Sequence, residues 1–117
     1  MTTTVQSIVN DAKKMIDVAA QSHYEDGDIA QYVVEGVQQM YAVRQSSRYG
    51  AGGIDDQQFP SDSTALLAFV VRVNEPRWRV GIVYWAAARC HEVGITDSVN
   101  LQLAQTLKKQ AIDIFMS

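Results

Sequence analysis

The run Val80-Gly-Ile-Val-Tyr-Trp-Ala-Ala-Ala-Arg-Cys90 is apolar on nearly every face of the helix it would form. A helix with no clear polar side either passes through the middle of a bundle or gives part of its surface to another molecule. At 117 residues the chain is of single-domain length, with enough apolar surface for one core. Few neighbours are therefore available to cover such a helix. Assembly, ahead of chemistry, is what this stretch points to. Its boundaries are legible: a start near Asn74 or Glu75, with Pro76 in the first turn where a missing N–H is harmless, and an end at Gly94. Arg89 and His91 near that end complement the helix dipole.

Three more helices flank it. Val5, Ile8, Val9, Ala12, Met15, Ile16 and Ala19 recur at helical spacing, which predicts a first helix from Val5 to Ala20 capped by Thr3 or Thr4. After the polar connection Gln21 to Glu25, Asp26 is placed to cap a second helix and Asp28 sits in its first turn. Ile29, Tyr32, Val33, Gly36, Val37, Met40 and Val43 form its buried stripe. Gly36, lying inside that stripe, permits a close helix crossing. A fourth helix, capped by Thr96 with Asp97 following, turns Val99, Leu103, Leu107, Gln110 or Ala111, and Ile114 inward.

Between the second and third helices the periodicity disappears. Ser, Gly, Asp and Pro dominate from Gln45 to Ser63, a long structureless stretch of the kind that is functional or disordered. Leu66 to Val73 is apolar and partly β-branched, and reads as a strand or extended arm ahead of a helix. The expectation is an all-α chain: a single domain spanning 1–117, a small four-helix bundle with a long loop and arm over about 45–73.

Chemistry finds little support. His23 and His91 have no partner at metal-ligand spacing, and Cys90 and His91 point about 100° apart on a helix. No metal site and no cofactor are expected. Gly50-Ala-Gly-Gly53 follows no strand and lacks the Lys-Ser/Thr of a phosphate cradle. Asp55, Asp56 and Asp62 are loop carboxylates without an evident acid–base partner, and no Ser/His/Asp arrangement can be built. Cys90, in an apolar run, reads as a buried thiol. With a net charge of −3 the whole chain has no electrostatic footprint for nucleic acid. Arg77-Trp78-Arg79 suggests phosphate and base contacts, but residues two apart share no helical face. Trp78 and Trp85 do share one, for packing in a core or an interface. Val93 to Asp97 has the length of a helix-turn-helix turn, yet an acidic residue opens the helix that would enter the groove. Neither a secretion signal nor a membrane span is legible, which places the chain in a soluble, reducing compartment.

Taken together, Ile8-Val-Asn-Asp-Ala12, Tyr24-Glu-Asp-Gly-Asp-Ile29, Tyr32-Val-Val-Glu-Gly36 and Arg44 resemble the opening of the small head-to-tail adaptor, or connector, proteins of tailed bacteriophages. Arg79-Val-Gly-Ile-Val-Tyr-Trp-Ala-Ala-Ala-Arg89, then Asn100-Leu-Gln-Leu-Ala104 and Phe115, are similar to that family's closing helix pair. The resemblance covers the chain apart from Arg48 to Asn74. It departs at Gln45, where many such proteins carry proline. It implies a non-enzymatic virion protein at the head–tail junction, assembled in the host cytoplasm into a homo-oligomeric ring of about twelve copies. Its implied partners are other copies of itself, the portal protein, the tail or nozzle components below, and DNA only as a passing genome.

Two contact regions follow. In a ring, the arm is suited to cross to a neighbour, with Phe59, Leu66, Phe69 and Val71 as anchors and Trp78 as a further inter-subunit residue. At the other end, Ile112, Ile114, Phe115 and Met116 wrap more of the last helix than one inner stripe needs, and the family's use of its C-terminal segment implies portal binding there. The competing expectation is a small helical DNA-binding regulator encoded by a phage or plasmid.

Overall fold

A computed structural model describes residues 3–16, 25–43, 59–73, 76–93 and 98–117. These residues form five helices: α1 (Val5–Lys13), α2 (Asp26–Val43), α3 (Ser63–Ala68), α4 (Pro76–Val93) and α5 (Ser98–Met116). Among them the chain is all-α, the one β feature being an isolated bridge between Thr4 and Val70.

The over-apolar helix is the axis of the packing. α4 lies against α1, α2 and α5, and its small residues set the approach distances. A Cβ on Gly36 of α2 would stand 3.3 Å from Ile82 Cγ2 and 3.3 Å from Trp85 Cβ, so the α2–α4 crossing depends on that glycine. On the next side of α4, Gly81 leaves a notch filled by the Phe115 ring of α5. The core runs through Val5, Ile8, Val9, Ile29, Val33, Val37, Met40, Ile82, Ala86 and Phe115, all fully buried. A second cluster of Ala87, Ala88, Ala104 and Leu107 joins α4 to α5, with Met15 and Tyr84 packed on it.

Several local expectations hold. Thr4 caps α1, its Oγ1 accepting the Ser7 N–H at 3.2 Å, and Pro76 opens α4. The stripe on α2 is buried at Ile29, Val33, Gly36, Val37 and Met40, while Tyr32 and Val43 are half-buried. α4 continues to Val93; Gly94, Thr96 and Asp97 lie outside the described residues, as do His23, Arg44, the Gly50–Gly53 run, Asp55 and Asp56.

Four expectations are corrected. α1 ends at Lys13, short of Ala20, because Lys14, Met15 and Ile16 bond back to carbonyls three residues earlier and tighten the turn; residues 17–20 lie outside the described set. Asp26 is the first helical residue of α2, not its cap: its carboxylate takes the Lys13 ammonium at 2.9 Å and the Gln6 amide at 3.0 Å. Asp28 reaches back instead, accepting the Glu25 N–H at 3.2 Å as in a capping box.

The arm is not a strand. Asp62 accepts the Ala65 N–H and caps the short α3, after which Phe69 to Val73 runs extended. That stretch lies on its own N-terminus, through Val5 N–H to Phe69 O at 3.0 Å and Val71 N–H to Thr3 O at 2.7 Å. Finally, of the stripe expected on α5, Leu107 and Ala111 are buried and Ile114 is half-buried, but Ala104 and Phe115 take the other inner places. Leu103 is 41 % exposed and Gln110 faces solvent. Gly81 supplies the reason, since its notch accepts an aromatic ring and draws Phe115 inward, rotating Leu103 out.

Candidate interaction surfaces

The spacing that gives α4 three covered sides leaves a fourth. Arg77, Val80 and Tyr84 share one face of the helix. Arg77 is exposed, Val80 is 42 % exposed and Tyr84 half-buried. Further along the same face Ala87 and His91 are buried. The open part is therefore the N-terminal half of α4. Two shallow hollows flank the nearby arm: about 240 Å³ lined by Thr3, Val73, Pro76 and Arg79, and about 340 Å³ lined by Gln6, Thr64, Leu67 and Ala68.

Charged side chains tie the helices together. Arg89 of α4 donates from Nε to Glu35 of α2 at 3.0 Å and from Nη1 to Glu92 at 2.7 Å, while its guanidinium lies 5.4 Å from the Tyr32 ring centre. Glu92 also receives Lys108 of α5, whose ammonium stands 5.0 Å from the Trp85 ring centre. On the opposite side Arg79 reaches Asp11 of α1 at 2.6 Å, and Asp11 also takes Lys14 at 3.4 Å. The i,i+3 pair Arg89–Glu92 was readable from spacing; Glu35 and Lys108 were not, because no periodicity relates residues on different helices.

These contacts set the ionisation of the carboxylates. The hydrogen bond from Arg79 holds Asp11 below the usual carboxylate range, and the one from Lys13 does the same for Asp26. For Glu92 burial pushes upward, but hydrogen bonds from Lys108 and Arg89 outweigh it and the net direction is down. Burial pushes the Cys90 thiol up to about 12, which favours the protonated form at neutral pH.

A group with a lowered folded pKa stabilises the fold above its unfolded pKa and loses that contribution as pH falls through the folded value. With unfolded values near 4, the melting temperature should stay level from about pH 7 to 5 and then fall below about pH 4. The fall should shrink in 0.5 M salt (roughly a 4 Å screening length), because the ion pairs of these three carboxylates are part-exposed. A melting temperature that is flat down to about pH 3 in low salt would show that these pairs do not stabilise the fold.

The sequence-derived contact residues are distributed unevenly. Leu66 and Val71 are buried in the chain's own core, and Trp78 is 6 % exposed. Phe59 and Phe69 pair with each other, ring centres 5.0 Å apart, and are half-buried. On α5, Phe115 is fully buried in the Gly81 notch, Ile112 and Ile114 are half-buried against the core, and Met116 is 62 % exposed. The arm anchors and the C-terminal residues are thus not brought into one site. Sequence reasoning expected α4 to share surface but did not locate where; the open part is at Val80, with Tyr84 half-buried beside it. The signal was the all-round apolarity of that helix.

Arg77 donates to the Ser117 carbonyl at 2.8 Å and Arg79 is engaged by Asp11, which takes both arginines of the Arg-Trp-Arg run into intramolecular contacts. Trp78 Nε1, Trp85 Nε1 and His91 Nε2 are buried and have no hydrogen-bond partner among the described residues. Among the described residues no group of three or more His, Cys, Asp or Glu is placed to hold a metal, and no helix is long and apolar enough to cross a membrane. No protein-family model, curated protein or solved structure matches this chain.

Proposed function

We propose that this chain is a structural, non-enzymatic adaptor of a tailed-bacteriophage neck: a homo-oligomeric ring that joins the portal to the tail and lets DNA pass. In this reading the fold is a small four-helix bundle with a long connection and arm between its second and third long helices. The observation that carries the reading is the open fourth side of α4, where Val80 and Tyr84 offer apolar surface on the helix that elsewhere organises the core. A helix of that kind is expected where subunits meet. The resemblance of the α1–α2 and α4–α5 sequence segments to the family supports it further.

The ring would be heterologous, each copy offering different surfaces to its two neighbours. Met116, with the exposed parts of Ile112 and Ile114, is the portal-facing surface in this proposal, because Phe115 has no exposed area left to offer. Phe59 and Phe69 are the arm residues with surface to share; Leu66, Val71 and Trp78 act from beneath by holding the arm and α4 in place. The acidic balance of the chain suits a conduit that does not grip the genome.

Sedimentation and negative-stain imaging of the protein alone, and of the protein mixed with a portal, test this. Closed rings, by itself or on the portal, are the expected result. A stable dimer that shifts duplex DNA at physiological salt, with the steep salt dependence of phosphate contacts, would replace the adaptor with the DNA-binding regulator.

A further inference from the structure

We propose that α5 is a separately releasable element, leaving the bundle as one unit while α1, α2 and α4 remain packed. The inference goes beyond the proposed function and does not depend on it. α5 packs chiefly on α4, with a smaller contact on α2, whereas α4 is held by three helices and α2 by α1, α3, α4 and the edge of α5. The α4–α5 seam, the most extensive helix pairing among the described residues, sets small groups against each other, Ala104 and Ala111 against Gly81, Ala87 and Ala88, between the larger Leu107 and Phe115. Where small groups meet, backbones approach closely and each residue removes little apolar area from water, and hydrophobic stabilisation follows that area. By contrast α2 buries Ile29, Val33, Val37, Met40 and Tyr41.

Only two large side chains of α5, Leu107 and Phe115, are buried among those described. The helix is held mainly at two places. One is Phe115 over Gly81, with Arg77 reaching the Ser117 carbonyl beside it. The other is Lys108, which bridges the Glu92 carboxylate and the Trp85 ring. Leu101, Leu103 and Met116 are already part-exposed, so releasing α5 uncovers only the remainder of these side chains. What release uncovers is the Gly81–Trp85–Ala88 side of α4 together with Leu107 and Phe115, an apolar pair of surfaces hidden in the closed bundle. Elements with few buried apolar contacts open sub-globally ahead of the rest of a domain.

Hydrogen–deuterium exchange of the full chain, at a concentration where sedimentation shows monomer, reads this directly. α5 amides facing α4 should exchange about tenfold or more faster than core amides of α2 and α4. Gly81→Ala places a Cβ 2.5 Å from Phe115 Cε1 and 3.0 Å from its Cζ, wedging the ring out of its notch. It should speed α5 exchange by roughly a further tenfold and leave α1 and α2 unchanged. Lys108→Gln, which removes the charge that meets Glu92 and the Trp85 ring but leaves Phe115 in its notch, should raise α5 exchange alone by about two- to fivefold, and decides the matter where Gly81→Ala does not fold. Exchange of α5 at the same rate as α2 in the unaltered protein, or acceleration of all helices together in the folded variants, would overturn the proposal.

Discussion

Replacing Phe115 with alanine will remove about 3–5 kcal/mol of packing free energy, the range found when a fully buried aromatic ring is truncated. Phe115 is the largest fully buried side chain of the core, and its ring occupies space that Gly81 leaves open on α4. Glycine cannot refill that space, and α4 is fixed on its other sides by α1 and α2, so the cavity will persist. The loss will fall first on α5, whose other buried residues among those described are two alanines and a leucine. Urea titration followed by far-UV circular dichroism, with exchange mass spectrometry to localise the change, measures it. Met116→Ser is the matched control. At 62 % exposure Met116 contributes little to the fold, and its loss should leave stability within about 0.5 kcal/mol while weakening any portal contact. If Phe115→Ala leaves stability unchanged and abolishes portal binding, the buried ring described above is wrong and Phe115 is an interface anchor.

The crossing of α2 over α4 carries the second large effect. Ile82 is fully buried beneath Gly36, and truncation to alanine should lower stability by about 2–5 kcal/mol. Gly36→Val should destabilise by about 1–3 kcal/mol through overpacking, because its first carbon already stands 3.3 Å from Ile82 Cγ2 and 3.4 Å from the Ile82 carbonyl oxygen. Gly36→Ala is milder: the helix-propensity gain of up to about 1 kcal/mol offsets much of the crowding. The two positions share one contact, so Gly36→Val combined with Ile82→Ala should be less harmful than the sum, with a coupling of about 0.5–3 kcal/mol. Additive losses in chemical denaturation would mean that the helices do not cross at these residues.

Much of this architecture is legible in local sequence because it depends on spacing within one helix. The all-round apolarity of Val80 to Cys90 left two readings, a helix at the middle of a bundle or one sharing surface with another molecule, and α1, α2 and α5 pack against it. Gly36 inside an apolar stripe predicted a close crossing, Thr3 or Thr4 a cap and Pro76 a first turn; the structure has the crossing and the turn, and the cap is Thr4. These are consequences of a fixed 3.6-residue period and of orphan N–H groups at helix starts, and need no knowledge of distant partners.

What depended on distant partners was not legible. α5 carries two overlapping apolar stripes, one through Leu103, Leu107 and Ile114 and one through Ala104, Leu107, Ala111 and Phe115. Hydropathy favours the first, and the glycine notch on α4 selects the second. Leu66 to Val73 has the composition of a strand. Asp62 caps its beginning into a helix, and the N-terminal segment then takes the extended remainder as its partner. Asp26 sits where a cap belongs, but Lys13 and Gln6 on α1 claim its carboxylate. Glu35 and Lys108 converge on the Arg89–Glu92 pair only because α2 and α5 flank α4. The sequence by itself determined which residues share a face; the tertiary structure decided what each face meets, since shape and charge complementarity exist only between helices already brought together.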